Sequence, residues 1–242
     1  YPGQYGMVVL SQFPISSDAK TFQNFLWKDM PQAMLPQKVK PSDTKESYYS
    51  SVILDKFRLS SKSHWDLTIE TPKRDIHFLV SHPTPPVFDG PEDKNGCRNH
   101  DEIRFWADYI SDDKSQYIYD DKGRRGGLTN AQSFVIAGDM NADPTDGDTT
   151  DDAILQLLNH RRIHNPLAAS DGAVEASKLQ GKINTLHQGK PKFDTSDFSD
   201  RSPGNLRIDY VLPSRNLHIE SAGVFWPRKD QPAAALLDAS DH

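Results

Sequence analysis

The stretch Gly138-Asp139-Met140-Asn141-Ala142-Asp143-Pro144 puts a carboxylate and a carboxamide two residues apart, directly after the apolar run Phe134-Val135-Ile136-Ala137. Side chains two apart in extended chain point the same way, so Asp139 and Asn141 can converge on one ligand. Oxygen donors of this kind suit hard cations such as Mg²⁺, Mn²⁺ or Ca²⁺. Asp139, Asn141 and Asp143 also match the opening of a calcium-binding EF-hand loop. That pattern fails further on, because Pro144 stands where glycine is needed and Thr150 where glutamate is needed. The plain alternative is an Asp/Asn turn that ends a strand.

Three further polar positions invite the same question. Asp209 sits inside Ile208-Asp209-Tyr210-Val211-Leu212, where an unpaired buried carboxylate is costly, so it faces solvent or has a partner. His82 follows the apolar run ending at Val80, and Pro83, Pro85 and Pro86 keep the chain after it extended; its plain reading is a histidine bonded to a loop carbonyl. Asp241-His242 closes the sequence, and alone it reads as a polar tail. Lys94, Arg98 and Arg104 could bring positive charge to a phosphate from around the 83–99 segment, the alternative being a solvated loop.

The elements that must position these groups follow from patterning. Gly6 to Ser11 reads as a buried strand, Ser51 to Leu59 as a strand whose end alternates, Trp65 to Glu70 as a half-buried strand and Asp75 to Val80 as a more buried one. Residues 31–47 read as a surface connection, and the Pro-rich 83–99 segment fits neither helix nor strand. Asn99 followed by Glu102 resembles a capping box for a helix bearing Ile103, Trp106, Ala107 and Ile110. Phe134 to Ala137 is a buried strand, Thr150 to Asn159 a helix, 165–205 a polar and broken stretch, and Leu206 to Leu212 and Leu217 to Trp226 the last two strands.

A chain of 242 residues with 36% hydrophobic content can bury one substantial core, and one large domain is expected. Its net charge of -6 argues against gripping duplex nucleic acid by charge alone, yet a site that gathers carboxylates around a cation lowers net charge by itself. The single cysteine, Cys97, cannot form an internal disulfide. No apolar run approaches the roughly 18 residues of a membrane-spanning helix. The chain opens on Tyr1 and stops at Ser240-Asp241-His242, which reads as a processed or incomplete chain.

Taken together and in order, Val80-Ser81-His82, Gly138-Asp139-Met140-Asn141-Ala142, Arg207-Ile208-Asp209-Tyr210-Val211-Leu212 and Ser240-Asp241-His242 resemble the endonuclease/exonuclease/phosphatase superfamily. That superfamily includes pancreatic-type deoxyribonucleases, abasic-site endonucleases, bacterial sphingomyelinases and inositol polyphosphate 5-phosphatases. The opening Tyr5 to Ile15 looks like its early Leu-Ser-x-x-Pro-Ile element, and the 84–104 segment resembles a bacterial subgroup known mostly from predicted proteins. The resemblance implies an α/β fold, a four-layer α/β/β/α sandwich of two mainly antiparallel sheets, formed by a single 1–242 domain whose N-terminal part and final strand are missing. It implies that Asp139 and Asn141 orient the attacking water and contact phosphate, and that His242 is a general base paired with Asp209. Asp241 would bind metal together with Asp139, while His82 would bond phosphoryl oxygens or protonate the leaving group. A metal-binding Glu of the superfamily has no counterpart in the sequence.

The leading expectation is therefore Mg²⁺-dependent (or Mn²⁺- or Ca²⁺-dependent) hydrolysis of a phosphoester in nucleic acid or a small phosphorylated molecule, with Asn141, Arg98 and Arg104 on the substrate. The protein is expected to be a monomer; its residues leave the compartment open, and the resemblance alone favours an extracytoplasmic or secreted home. Two rivals stand beside it: a catalytically incomplete binding or accessory module on the same fold, and a calcium-stabilised structural domain built on the acidic stretch 143–152.

Overall fold

Two runs of period-two alternation between residues 64 and 81 fold as an antiparallel pair, and the rest of the sheet is built outward from them. The computed structural model describes residues 6–39, 46–240 and 242. Its strands are β1 (Lys20–Thr21), β2 (His64–Glu70), β3 (Asp75–Ser81), β4 (Ser133–Asp139), β5 (Ser196–Asp197), β6 (Asn205–Leu206) and β7 (Asp209–Pro213). Its α-helices are α1 (Ser51–Leu54), α2 (Lys94–Tyr109), α3 (Leu155–Leu158) and α4 (Asp171–Gln180). The larger sheet has the order β1-β2-β3-β4-β7, and β5 and β6 form a separate ribbon. All pairings are antiparallel except that of β3 with β4. The fold is thus α/β with two mainly antiparallel sheets, as the sequence leads one to expect.

Parallel neighbours need a crossover, and α2 supplies it between β3 and β4. From that helix Ile103, Phe105, Trp106 and Tyr109, with Ile110 just after it, join Leu79, Phe134, Ile136 and Leu212 of the sheet in one core cluster. Two polar bonds inside the core fix the helix on the sheet: Trp106 Nε1 donates to Ser81 Oγ at 2.9 Å and Tyr109 OH to Asp66 at 2.6 Å. The opposite face of the sheet is also apolar. One row across it is Trp65, Val80, Ala137 and Val211, paired strand by strand, and Val211 is 63% exposed.

Several sequence expectations are corrected. The 6–11 run forms no strand, and Val8 and Leu10 are exposed. An apolar run needs a neighbouring strand to satisfy its backbone, and this stretch meets β2 only at the Ile15–Ile69 bridge beyond its end. Ser51 to Leu59 begins as the short helix α1, because Ser50 caps it by accepting from the Ile53 amide, so local capping outweighs the β-preference of Val52 and Ile53. The crossover helix starts at Lys94, and Asn99 and Glu102, expected to cap it, lie inside it fully buried. Of the 150–159 helix only Leu155–Leu158 is α-helical, since Asp151 and Asp152 adopt positive φ. The polar 165–205 stretch contains α4, capped by Ser170. The 206–212 run is split into β6 and β7, and 217–226 is not a strand.

Candidate active site

Strand parity builds the site. Val80, Ala137 and Val211 share one face, so His82, Asp139 and Asp209, each two residues away along its strand, belong to that same face at one end of the sheet. Asp139 and Asp209 are direct cross-strand partners. Gly138 lets the strands close up here, since a Cβ on it would sit 2.0 Å from Ser81 O. Its φ of +148° is also one that side chains resist.

His242 joins from the far end of the sequence. Its Nδ1 lies 2.9 Å from Asp209 Oδ2 and its Nε2 3.8 Å from Asp139 Oδ2. His82 Nε2 stands 3.4 Å from the same Asp139 oxygen. Asn141, at φ +50°, folds its amide N–H back onto Asp139 Oδ1 at 2.7 Å, while its Nδ2 donates to Asp139 Oδ2 and Pro83 O, both at 3.2 Å. The structure therefore brings together His82, Asp139, Asn141, Asp209 and His242. Asp241 lies outside the described residues.

Electrostatics follow from this crowding. Burial, then the neighbouring Asp209 charge, pushes the Asp139 carboxyl up to about 6. Burial, then the Lys62 ammonium, holds His82 down at about 4, so its imidazole is neutral near pH 7.

Arg98 and Arg104 are not gathered here, contrary to expectation. Arg98 donates to the carbonyls of Leu59 and Arg58 and lies over Phe57. Arg104 donates to the carbonyls of Pro31 and Gln32 and pairs with Asp108. Both sit on α2, and their fork geometry matches the carbonyls of the loops packed on that helix. The acidic 143–152 stretch likewise serves a local purpose: Asp143 accepts the amides of Thr145, Asp146 and Arg207.

Sequence reasoning missed several groups. Ser196 is buried, and its Oγ lies 3.1 Å from Asp209 Oδ2 and 3.0 Å from His242 Nδ1. Thr195 Oγ1 accepts the amides of Ile208 and Asp209, which fixes the start of β7. Glu102 accepts the amides of Ser61 and Thr84, both at 2.6 Å, and Asn99 Nδ2 donates to Thr84 O and Met140 O. Lys62 Nζ donates to Pro83 O at 3.1 Å. Only tertiary register joins these residues to the site. A cavity of about 710 Å³ adjoins Asp139, Asp209 and His242, and Phe193, Val211 and Phe225 also line it.

The donor set fits a hard divalent cation. Two carboxylates are held side by side, and the charge of Asp209 opposes ionisation of Asp139, a repulsion that a bound cation would relieve. Among the described residues no ready-made cage of three or more His, Cys, Asp or Glu is present. Mg²⁺ uses one or two carboxylates plus substrate phosphate, and it needs no such cage.

Among curated proteins none matches the sequence. Among solved structures the chain is similar to an endonuclease/exonuclease/phosphatase from Beutenbergia cavernae, with TM-score 0.44 and 13% identity over 85% of this chain and 39% of that one. It is also similar to sphingomyelinase C from Streptomyces griseocarneus, with TM-score 0.38 and 16% identity over 68% and 46%. A third is a beta toxin from Staphylococcus aureus, a mutant with bound magnesium ions, with TM-score 0.36 and 10% identity over 66% and 44%. The chain thus spans less than half the length of each of these three structures. The model of the endonuclease/exonuclease/phosphatase family matches residues 1–242. With the whole sequence matched, the chain belongs to the endonuclease/exonuclease/phosphatase family.

Proposed function

We propose that this chain carries the catalytic rim of a divalent-metal-dependent phosphoesterase that hydrolyses a phosphodiester or phosphomonoester by in-line attack of water. One observation supports it above the others: His82, Asp139, Asp209 and His242, up to 160 residues apart (82 to 242), meet at one end of one sheet face. A purely structural cluster has no need to hold two carboxylates and two imidazoles together, largely buried yet reached by solvent, because unneutralised like charges cost stability.

In this reading Asp209 accepts the Nδ1–H of His242 and fixes its tautomer, which leaves Nε2 as the proton acceptor on the Asp139 side. Ser196 donates to the same Asp209 oxygen, limiting its rotation. Asp139 and Asn141 orient the attacking water and the phosphate. Neutral His82 donates a hydrogen bond to a phosphoryl oxygen or to the departing group. Asp139, Asp209 and, next to His242, Asp241 would hold a divalent ion, Mg²⁺ above the others. When bound, it neutralises charge on the phosphoryl oxygens and favours deprotonation of water.

The test is hydrolysis of bis-p-nitrophenyl phosphate and p-nitrophenyl phosphate by the full chain in Mg²⁺, Mn²⁺ or Ca²⁺, with a chelator control. Asp209→Asn keeps the shape and removes the charge that supports His242, and kcat should fall about 100-fold or more. A chain that is inactive on both substrates with every cation refutes the assignment.

A further inference from the structure

The turn before β2 carries a cation to the catalytic rim. His64 pairs with Ser81 in the antiparallel register. Continuing that register sets Lys62 level with Pro83, the residue after His82. The side chain confirms the alignment, with Lys62 Nζ 3.1 Å from Pro83 O. Asn141 Nδ2 donates to that same carbonyl at 3.2 Å, so the Lys62 ammonium and the Asn141 carboxamide flank one oxygen. Asn141 in turn holds Asp139.

The backbone around Lys62 is fixed with unusual rigour for a surface turn. Glu102, fully buried, grips the Ser61 amide with one oxygen and the Thr84 amide with the other. One carboxylate thus ties the turn that carries Lys62 to the loop that carries His82. A buried carboxylate is expensive to keep, and here it holds two loops at a constant separation. Constant placement of a cation is what stabilisation of phosphoryl charge requires.

We propose that Lys62 is the phosphate-binding cation of this site, contacting a non-bridging oxygen of the substrate's phosphoryl group opposite Asp139. The proposal rests on the phosphoesterase reading, and its consequence is graded by charge. Removing one positive charge weakens a dianionic terminal phosphate more than a monoanionic diester.

The full chain, Lys62→Met and Lys62→Arg are compared in Mg²⁺ on p-nitrophenyl phosphate and bis-p-nitrophenyl phosphate, with inorganic phosphate as competitive inhibitor and circular dichroism as a check on folding. For Lys62→Met the inhibition constant for phosphate should rise at least tenfold, and kcat/KM should fall at least tenfold, more for the monoester than for the diester. Lys62→Arg should recover part of both, which also covers the case in which the methionine variant folds poorly. An active wild type whose phosphate inhibition is unchanged within twofold in both variants overturns the assignment of Lys62 and leaves the phosphoesterase reading standing. A wild type inactive on both substrates overturns the reading and this inference with it.

Discussion

Asp194 is a buried carboxyl whose cost can be measured. Burial, then the charges of Asp143 and Asp146, pushes it up to about 8, far above an ordinary aspartate. The folded state therefore holds a proton that the unfolded chain releases near pH 4. Stability from this group is fully present below about pH 4 and is lost as pH rises towards 8. Asp194→Asn should raise the melting temperature at pH 8 by several degrees, a gain of about 1–3 kcal/mol at about 2–4 °C per kcal/mol, and the gain should vanish near pH 4. Parallel melting curves at the two pH values decide it. At this scale the residues named from the sequence, Asp139 and Asn141 with His82, Asp209 and His242, are ones the fold brings together, although Asn141 lies beyond β4 and turns back through a positive φ where the sequence suggests that the strand continues. The sequence was opaque where the partner is set by register, as for Lys62 with Pro83 or Ser196 with Asp209.

At the scale of elements, α2 shows how one helix can both fill a core and brace a site. Asn99 donates to Thr84 O and Met140 O, joining the loop after His82 to the residue after Asp139. Asn99→Leu removes both donors and leaves carbonyls without them in a buried place. The expected loss is about 2–4 kcal/mol, read from the denaturation midpoint, together with a fall in kcat as the two loops separate. Asn99 and Glu102 also explain why the helix start was misjudged. The residue types that cap a helix are those that bond to any nearby backbone, and here they bond to loops instead. The helix begins earlier because Asn95 ties it to Val87 O and Asp89, contacts that local propensity cannot reveal. Helix α4 had readable signals, Ser170 at its start, Asp171 in its first turn and Lys178 in its last, but few apolar residues to give it a periodicity.

For the whole molecule, the sheet is apolar on both faces. The α2 side is packed, whereas the side holding Val211 is open, and Phe225 beside it is 65% exposed. Exposed apolar area of this kind binds amphiphilic dyes and promotes association. Val211→Asp combined with Phe225→Asp should reduce dye fluorescence severalfold in this chain, while the unfolding free energy changes by less than about 1 kcal/mol. Equal dye binding by the double variant would show that this face is covered in solution. Patterning made β2, β3 and β4 readable as strands, but not the parallel pairing of β3 with β4. It did not reveal which apolar face would be buried, because a strand with two apolar faces carries no polar side to mark solvent.

The parallel step from β3 to β4 has one more consequence. Its crossover helix holds Trp106 in the core, Glu102 on the Lys62 turn and Asn99 on the two loops. Chemistry and cohesion are therefore mounted on one rod: the rim cannot slacken by itself, and the temperature at which this helix detaches from the sheet is an upper bound on the temperature at which the protein can work.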